Sequence, residues 1–149
     1  MSESSVIIRP LAERDRDAWG ALWSDYLTFY ETSVPDTVHD STFARLLGDD
    51  PRDFNGALAV AGDRPVGLVH WLFHRHAWKI EEVCYLQDLF ALPDMRGRGV
   101  GRALIEHVYA QADAHGAPAV YWLTQEHNST ARRLYDRIGR NTGFLRYSR

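Results

Sequence analysis

A glycine-dense segment about two-thirds of the way along the chain constrains the fold most strongly. An apolar stretch ends at Pro93, the run Arg96-Gly97-Arg98-Gly99-Val100-Gly101-Arg102 follows, and apolar residues then recur at helical spacing from Val100 to Ala112. The first amides of a helix have no intrahelical partner, and the helix dipole attracts anions to them. Glycine lets an anion approach the backbone without meeting a Cβ atom. The segment therefore predicts a strand, a turn that binds a pyrophosphate, and a helix, with positive charge from the three arginines.

Other nucleotide-binding turns fit this segment less well. A P-loop requires Gly-x-x-x-x-Gly-Lys-Ser/Thr, and no such run occurs in the chain. A Rossmann fingerprint requires Gly-x-Gly-x-x-Gly, whereas the glycines here follow Gly-x-Gly-x-Gly, although Glu126 lies near the position of a ribose-binding acid. The motif also follows several strands, whereas a doubly wound fold would begin with it. A glycine-rich loop without a ligand is the remaining alternative.

Hydrophobic periodicity along the rest of the chain predicts one α+β domain spanning residues 1–149. Alternating or short apolar runs predict strands at 6–9, 56–61, 66–74, 82–91, 119–124 and 144–147. Helical spacing predicts helices at 15–30 (with Asp15 as the cap), 37–47, 100–115 and 128–138. Three successive strands with short links predict an antiparallel meander, and the strand–helix–strand that follows predicts a parallel crossover. We therefore expect a mixed, mostly antiparallel sheet flanked by about four helices.

Composition narrows the functional classes. The chain has 149 residues, 45% of them apolar, and a formal net charge of -3, which disfavours a nucleic-acid partner. Residues 1–5 are polar rather than a signal peptide, and no apolar run is long enough to span a membrane. The single cysteine, Cys84, excludes an internal disulfide framework and most simply packs in the core. We expect a soluble, cytoplasmic protein.

A second motif lies in the last predicted helix. Asn128 stands at its start and Tyr135 follows seven residues later, about two turns on, so that both project from one face. Taken alone, the pair could be a helix cap and a core aromatic. Together with Arg96-x-x-Gly99-x-Gly101, which matches Gln/Arg-x-x-Gly-x-Gly/Ala, the chain resembles the GNAT acetyltransferases over nearly its whole length. The likeness is greatest to the branch that includes histone, polyamine and D-amino-acid acetyltransferases.

The resemblance implies a GNAT fold, acetyl-CoA as co-substrate, an N-acetyltransferase activity and, at the level of the family, a homodimer. It implies that the glycine turn binds coenzyme A and that Asn128 and Tyr135 line its pantetheine arm. It also implies that the sheet opens beside Leu89, Phe90 and Ala91, where a backbone amide polarises the acetyl carbonyl. One departure is that only one short strand fits after Gly139, where many members carry a terminal hairpin.

The chemistry of amine acetylation assigns further roles. An alkyl amine of pKa ~10.4 is almost fully protonated at pH 7, so a base is needed, and a tyrosine of pKa ~10 can donate to a departing thiolate. We assign the thiolate role to Tyr135. Glu82 and Asp88 are candidates for the base, since strict alternation would place both on one face of their strand; Asp88 could instead hold the ammonium or anchor loop amides.

The acceptor site is expected along the aromatic first helix, with Trp23, Tyr26, Tyr30 and Glu31 as candidate contacts, because aromatic faces and an acid suit an ammonium. His70, His74 and His76 share a predicted strand face but lack a second ligand group, so we predict surface or cleft histidines and no metal. The leading acceptor is a small-molecule amine such as a polyamine or amino acid. The alternatives are a protein lysine or N-terminus, and a non-catalytic acyl-CoA-binding module.

Overall fold

The computed structural model describes residues 5–149, so the first four residues of the predicted polar terminus lie outside it. Within that range the strands are β1 (Val6–Pro10), β2 (Asn55–Ala61), β3 (Arg64–His74), β4 (Val83–Ala91) and β5 (Val120–Tyr121). The α-helices are α1 (Arg16–Phe29), α2 (Asp36–Leu47), α3 (Val100–His115) and α4 (Ser129–Ile138). Short 3-10 turns at Glu13–Asp15 and Pro93–Met95 precede α1 and the glycine turn.

The strands form one mixed sheet in the order β1-β2-β3-β4-β5. The first four pair antiparallel, and β5 runs parallel to β4 through the pairs Cys84–Val120 and Tyr85–Tyr121. Helix α3 makes the crossover between these two strands. The predicted α+β class, the antiparallel meander and the parallel crossover are therefore confirmed.

A bulge in β4 changes which side chains share a face of the sheet. His70 pairs with Asp88 and Trp71 with Leu86, so Gln87 has no partner on β3. Cys84 and Leu86 pack in the core under α3, whereas Asp88, which alternation would place with them, contacts α1. The prediction that Glu82 and Asp88 share one face is therefore wrong. Glu82 precedes β4 and binds His115 at the end of α3, with Oε1 2.8 Å from Nε2.

Two apolar cores cover the two faces of the sheet. Leu104, Ile105 and Val108 of α3 pack on one face, and Trp19, Leu22 and Phe43 of α1 and α2 pack on the other. Each fully buried side chain of this size contributes about 1.5–3 kcal/mol to stability. Cys84 belongs to the first core, and burial raises the pKa of its thiol to about 12, which removes it as a nucleophile.

The start of α1 is fixed by an ion pair and not by a side-chain cap. Asp15 stands at the cap position, but its carboxylate accepts two hydrogen bonds from the Arg9 guanidinium (2.7 and 2.9 Å) and one from the Ala12 amide (2.8 Å). The Arg9 hydrogen bond holds the pKa of Asp15 below its usual range. Arg9 therefore ties β1 to the N-terminus of the helix that bears the predicted acceptor site.

The C-terminal part of the sheet is shorter than predicted. β5 ends at Tyr121 and not at residue 124, and the predicted strand at 144–147 does not form. Phe144 is 87% exposed and Tyr147 is 91% exposed, so the apolar residues of this segment pack against little of the described chain. Across residues 5–149, no helix combines the length and apolar character that a membrane span requires.

Candidate active site

The glycine turn is exposed and adopts a conformation that favours glycine. Gly97 and Gly99 both have φ of +77°, and Gly99 is the N-cap of α3. A Cβ atom added at either position would meet no atom within 4 Å, so packing does not require glycine there. The positive φ angle favours glycine, and the missing Cβ leaves the backbone open to an approaching anion. Gly101 differs, because a Cβ atom there would lie 3.3 Å from Leu134 of α4. Glycine at this position therefore also allows α3 and α4 to pack closely.

Free amides gather at this turn. Within residues 5–149 the N–H groups of Gly99, Val100, Gly101 and Arg102 have no protein acceptor, as expected for the first turn of a helix. The Arg98 amide differs from the prediction, because it donates to the Met95 carbonyl at 3.3 Å. The side chains of Arg96 and Arg98 are exposed. Arg102 turns away to Glu106, with Nε 2.6 Å from Oε1, so its predicted phosphate contact would require that exposed pair to open.

An opening between β4 and β5 leads away from the turn. Their pairing stops at Tyr85 and Tyr121, so the β5-facing edge of β4 has no strand partner after Tyr85 within the described chain. The Leu92 amide donates to Val66 of β3 at 2.9 Å. Because amides of an antiparallel strand alternate in direction, those of Leu89 and Ala91 point to the open edge, whereas that of Phe90 points to β3. Two amides of the segment in which a carbonyl-polarising amide was predicted therefore face the opening.

The motif at the start of α4 borders this opening. Asn128 is the N-cap residue of α4, but its side chain makes no capping hydrogen bond and only approaches Thr124, with Nδ2 3.4 Å from Oγ1. The Tyr135 ring packs edge-on against Trp122, with centroids 5.5 Å apart. Burial, and then the nearby Tyr30, raise the pKa of Tyr135 to about 12. Its hydroxyl therefore stays protonated over the whole physiological range.

A largely buried carboxylate lies across the sheet from α3. Asp88 is 13% exposed; its Oδ1 accepts from the Tyr26 hydroxyl at 2.8 Å and its Oδ2 lies 2.9 Å from His70 Nδ1. Within residues 5–149, His70 is the one ion-pair partner within reach of Asp88, and neither lysine nor arginine neutralises it. The Tyr26 ring packs against that of Tyr30, with centroids 5.1 Å apart. Burial, and then the charge of Asp88, raise the pKa of Tyr30. Asp88 is therefore connected through Tyr26 to Tyr30 at the end of α1.

A cleft of about 400 Å³ opens beside these residues, between the end of α1 and the start of α4. Its lining includes Tyr30, Glu31, Gln125, His127 and Asn128. Glu31 has φ of +58°, a left-handed conformation that is uncommon for a side chain other than glycine, and this turns the chain out of α1 at the edge of the cleft. The cleft thus brings two predicted acceptor residues next to a predicted cofactor residue.

The structure places other predicted residues away from the cleft. Trp23 is buried in a stack between Trp19 and Tyr26, with centroid distances of 5.9 and 5.1 Å, so we do not retain it as a substrate contact. His74 binds the Tyr121 hydroxyl at 2.7 Å, and His76 lies beyond the end of β3. The three histidines are therefore not one cluster on one strand face.

Sequence reasoning missed four residues. His70 is 2% exposed rather than a surface or cleft histidine, and Trp19 donates to it. Gln125 and His127 line the cleft. The position of His70 in an otherwise apolar strand was the one signal for its burial; no pattern marked the other three.

The fold and this site define an N-acetyltransferase: a mixed sheet that opens beside a glycine turn, with a tyrosine helix across the opening. Residues 18–139 match the sequence model of the acetyltransferase (GNAT) family, and the chain belongs to that family. It is 39% identical to the D-amino-acid N-acetyltransferase HPA3 of Saccharomyces cerevisiae over 152 residues, covering 100% of this chain and 93% of that protein. An uncharacterised N-acetyltransferase of Bacillus subtilis, YhfO, is 34% identical over 70 residues, 46% of this chain and 47% of that protein.

Solved structures share the fold at lower identity. The aminoglycoside acetyltransferase AAC(6')-Iy, in complex with a bisubstrate analogue CoA-S-monomethyl-acetylneamine, superposes with a TM-score of 0.83 at 20% identity, covering 98% of both chains. A ribosomal-protein-alanine N-acetyltransferase of Brucella melitensis biovar Abortus 2308 gives 0.76 at 20% identity, covering 97% of this chain and 98% of that one. The fold therefore occurs in proteins named for small-molecule and for protein acceptors.

Proposed function

We propose that this protein transfers the acetyl group of acetyl-CoA to a primary amine of a small molecule by direct attack. One observation carries the proposal: the carboxylate of Asp88 is largely buried, has no lysine or arginine ion-pair partner in the described chain, and accepts from Tyr26, whose ring packs against Tyr30 of the cleft lining. A buried charge without a counter-charge is costly. An ammonium group in the acceptor would supply that counter-charge.

The residues fit coenzyme A as the donor. The free amides at 99–102 and the exposed arginines Arg96 and Arg98 would hold its diphosphate, because a helix N-terminus with open glycines is an anion site. The open edge of β4 would accept the pantetheine arm, beside the Asn128 amide. Acetyl-CoA supplies an acyl group already activated as a thioester. The amides of Leu89 and Ala91 then face the position at which the carbonyl oxygen gains charge.

The acceptor would enter through the cleft at the end of α1. Asp88, which contacts Tyr26 and through it the Tyr30 ring of the cleft lining, would hold the ammonium. Glu31 in the cleft lining suits a second positive group. Such a cleft fits a compact amine. The relative HPA3 is named as acting on D-amino acids and AAC(6')-Iy as acting on aminoglycosides, which also favours a small acceptor.

The protons and bonds balance without a covalent enzyme intermediate. One ammonium proton passes to Asp88, directly or through a water, which frees the nitrogen lone pair. The nitrogen bonds to the acetyl carbon and the carbon–sulfur bond breaks. The second proton of the nitrogen passes through water to the departing thiolate, and Asp88 returns its own proton to the solvent after the product leaves. Tyr135 donates a hydrogen bond to the departing sulfur, which leaves as a thiol once protonated. Glu82, which is bound to His115, has no part in these steps.

A thiol-release assay with a panel of acceptors tests the proposal. Polyamines, D- and L-amino acids, aminoglycosides and a histone-tail peptide are each incubated with acetyl-CoA, and the acetylated product is confirmed by mass spectrometry. We expect transfer to at least one small amine. Transfer to the peptide alone would assign a protein acceptor, and coenzyme A binding without any transfer would assign a non-catalytic acyl-CoA-binding module. Either result would overturn the proposal.

A pair of glycine substitutions isolates the diphosphate site. Gly99 and Gly116 cap the two ends of α3 with nearly equal φ, +77° and +75°, and an added Cβ meets nothing within 4 Å at either. Both Gly99→Ala and Gly116→Ala should therefore cost about 1 kcal/mol of stability through backbone strain. Only Gly99→Ala should also weaken coenzyme A binding, by about 10-fold or more, since its Cβ occupies the diphosphate approach.

Isothermal calorimetry for coenzyme A and thermal denaturation measure these two effects separately. Equal coenzyme A affinities of the two variants would contradict the placement of the diphosphate at this turn.

We further propose a cytoplasmic homodimer, on the family resemblance alone. Light scattering of the purified chain tests the oligomer, and a monomeric mass at micromolar concentration would reject it.

A further inference from the structure

A continuous line of hydrogen bonds connects the interior of α1 to the carboxylate of Asp88. Trp19 Nε1 lies 3.0 Å from His70 Nε2, and His70 Nδ1 lies 2.9 Å from Asp88 Oδ2. His70 is 2% exposed and Trp19 is fully buried, so water does not compete for these contacts. Because the His70 ring is buried among apolar side chains, each of its two ring nitrogens needs a hydrogen-bond partner.

The chemistry of the partners fixes the protonation of the imidazole. An indole N–H can only donate, so His70 Nε2 must accept and carries no proton. The ring proton is therefore on Nδ1, where it donates to Asp88 Oδ2. The ring in this arrangement is neutral, and Asp88 receives a second donor, the Tyr26 hydroxyl, on its other oxygen. Each carboxylate oxygen of Asp88 thus accepts one hydrogen bond, and neither donor carries a positive charge.

We propose that His70 is a positioning residue that orients Asp88 for the acceptor ammonium, and that Trp19 fixes the tautomer of His70 by donating to Nε2. This inference rests on the proposed function of Asp88. With Nε2 accepting from the indole, the one ring proton lies on Nδ1 and holds Asp88 Oδ2 in place. A proton on Nε2 would break the indole hydrogen bond and place two donors face to face.

The groups around this pair are consistent with that role. The negative charge of Asp88 contributes to raising the pKa of Tyr26 of α1, Tyr30 at its C-terminal cap and Tyr85 of β4. These three tyrosines are neutral, whereas the positive charge of Arg146 acts on Tyr85 and lowers its pKa.

The charged and titratable groups on the far side of His70 contact Trp19 instead. The rings of His39 of α2 and of His70 both pack against the Trp19 ring, and the centroids of His39 and Trp19 lie 6.3 Å apart. Arg16 of α1 lies over the Trp19 ring and pairs with Asp40.

Nitrogen-15 NMR of the full chain labelled at histidine tests the assignment without substrate. His70 is identified as the signal missing in His70→Asn, and we expect its neutral ring to be the Nδ1–H tautomer. In Trp19→Phe, which lacks the indole donor to Nε2, the Nε2–H tautomer should become populated. A wild-type His70 that shows the Nε2–H tautomer overturns the proposal whether or not Trp19→Phe folds.

Kinetics test the consequence for the acceptor. His70→Leu removes the donor to Asp88 and should lower kcat/KM for the amine about 10- to 100-fold, the value of one hydrogen bond to a charged group. His70→Asn can still donate from Nδ2 and should recover most of that loss, whereas a structural role alone would make both variants equally active after correction for folded fraction. Equal activities therefore overturn the proposal.

The two proposals fail in different ways. If no amine on the panel is acetylated by the wild-type protein, the proposed function fails while the tautomer measurement still stands. If acetylation occurs but His70 carries its proton on Nε2, only the positioning role fails. Coenzyme A affinity should stay within about three-fold of wild type in both His70 variants, since His70 is on the opposite face of the sheet from α3.

Discussion

Asp88→Asn should lower kcat/KM for the acceptor amine by about 10²- to 10⁴-fold at pH 7, the range typical of a lost general base. The substitution preserves shape. The new amide oxygen can still accept from His70 Nδ1, and the Tyr26 hydroxyl can turn to accept from the new amide nitrogen. Only the charge and the proton acceptor are lost. Coenzyme A affinity should therefore remain close to that of the wild type.

The pH dependence separates proton removal from simple binding. Between pH 7 and pH 9 the neutral fraction of an amine of pKa ~10.4 rises about 100-fold, so the defect of Asp88→Asn should shrink over that interval. Ionisation of Tyr26 does not contribute to this pH dependence. Burial, and then the charge of Asp88, raise the pKa of Tyr26, so its hydroxyl remains protonated. Steady-state kinetics from pH 6.5 to 9.5 provide the measurement.

A surface carboxylate supplies the control for this variant. Asp50 is paired with Arg52 on an exposed loop, so Asp50→Asn should leave kcat/KM unchanged at every pH. A wild-type kcat/KM in Asp88→Asn at pH 7 would remove Asp88 from the mechanism. A defect that stays constant as the pH rises would assign it to ammonium binding alone.

The parts of the fold that local sequence encodes were predictable. The glycine turn and the helix after it depend on residues adjacent in sequence, and α3 begins at Val100 and ends at His115, as the spacing of apolar residues predicts. The meander was likewise predictable, because its strands are apolar and the turn between β2 and β3 consists of Gly62 and Asp63 alone. The same local signals located Tyr30, Glu31 and Asn128, which the structure brings to one cleft.

What the sequence could not supply depends on pairing between distant segments. The bulge at Gln87 has no local sequence signature, and it alone places the side chains of Glu82 and Asp88 on opposite faces of the sheet. The burial of His70 follows from the Trp19 indole of α1, 51 residues away in sequence. The segment 144–147 is mostly apolar, like a short strand, but a strand requires an edge to pair with, and β5 has only two residues.

Tyr135→Phe should lower kcat about 100-fold while coenzyme A affinity changes by no more than about three-fold, because only a hydrogen bond to a charged sulfur is lost. With a pKa of about 12, Tyr135 is a weaker acid than a thiol of pKa ~8.5, so complete proton transfer to the thiolate is unfavourable. Its contribution is therefore a hydrogen bond that strengthens as the sulfur gains charge. The phenylalanine ring preserves the contact with Trp122, so α4 should not move.

The same raised pKa predicts that wild-type kcat shows no loss from Tyr135 ionisation between pH 7 and about pH 10.5, since the hydroxyl ionises only near pH 12. Tyr109→Phe is the matched control: its hydroxyl donates to the Ile138 carbonyl at 2.7 Å, so the variant should lose about 1 kcal/mol of stability but keep its kcat. Pre-steady-state release of thiol reports the chemical step directly, even where product release limits turnover. If Tyr135→Phe releases thiol at the wild-type rate, the sulfur departs without this hydroxyl, and the assignment carried by the Asn128–Tyr135 spacing is wrong.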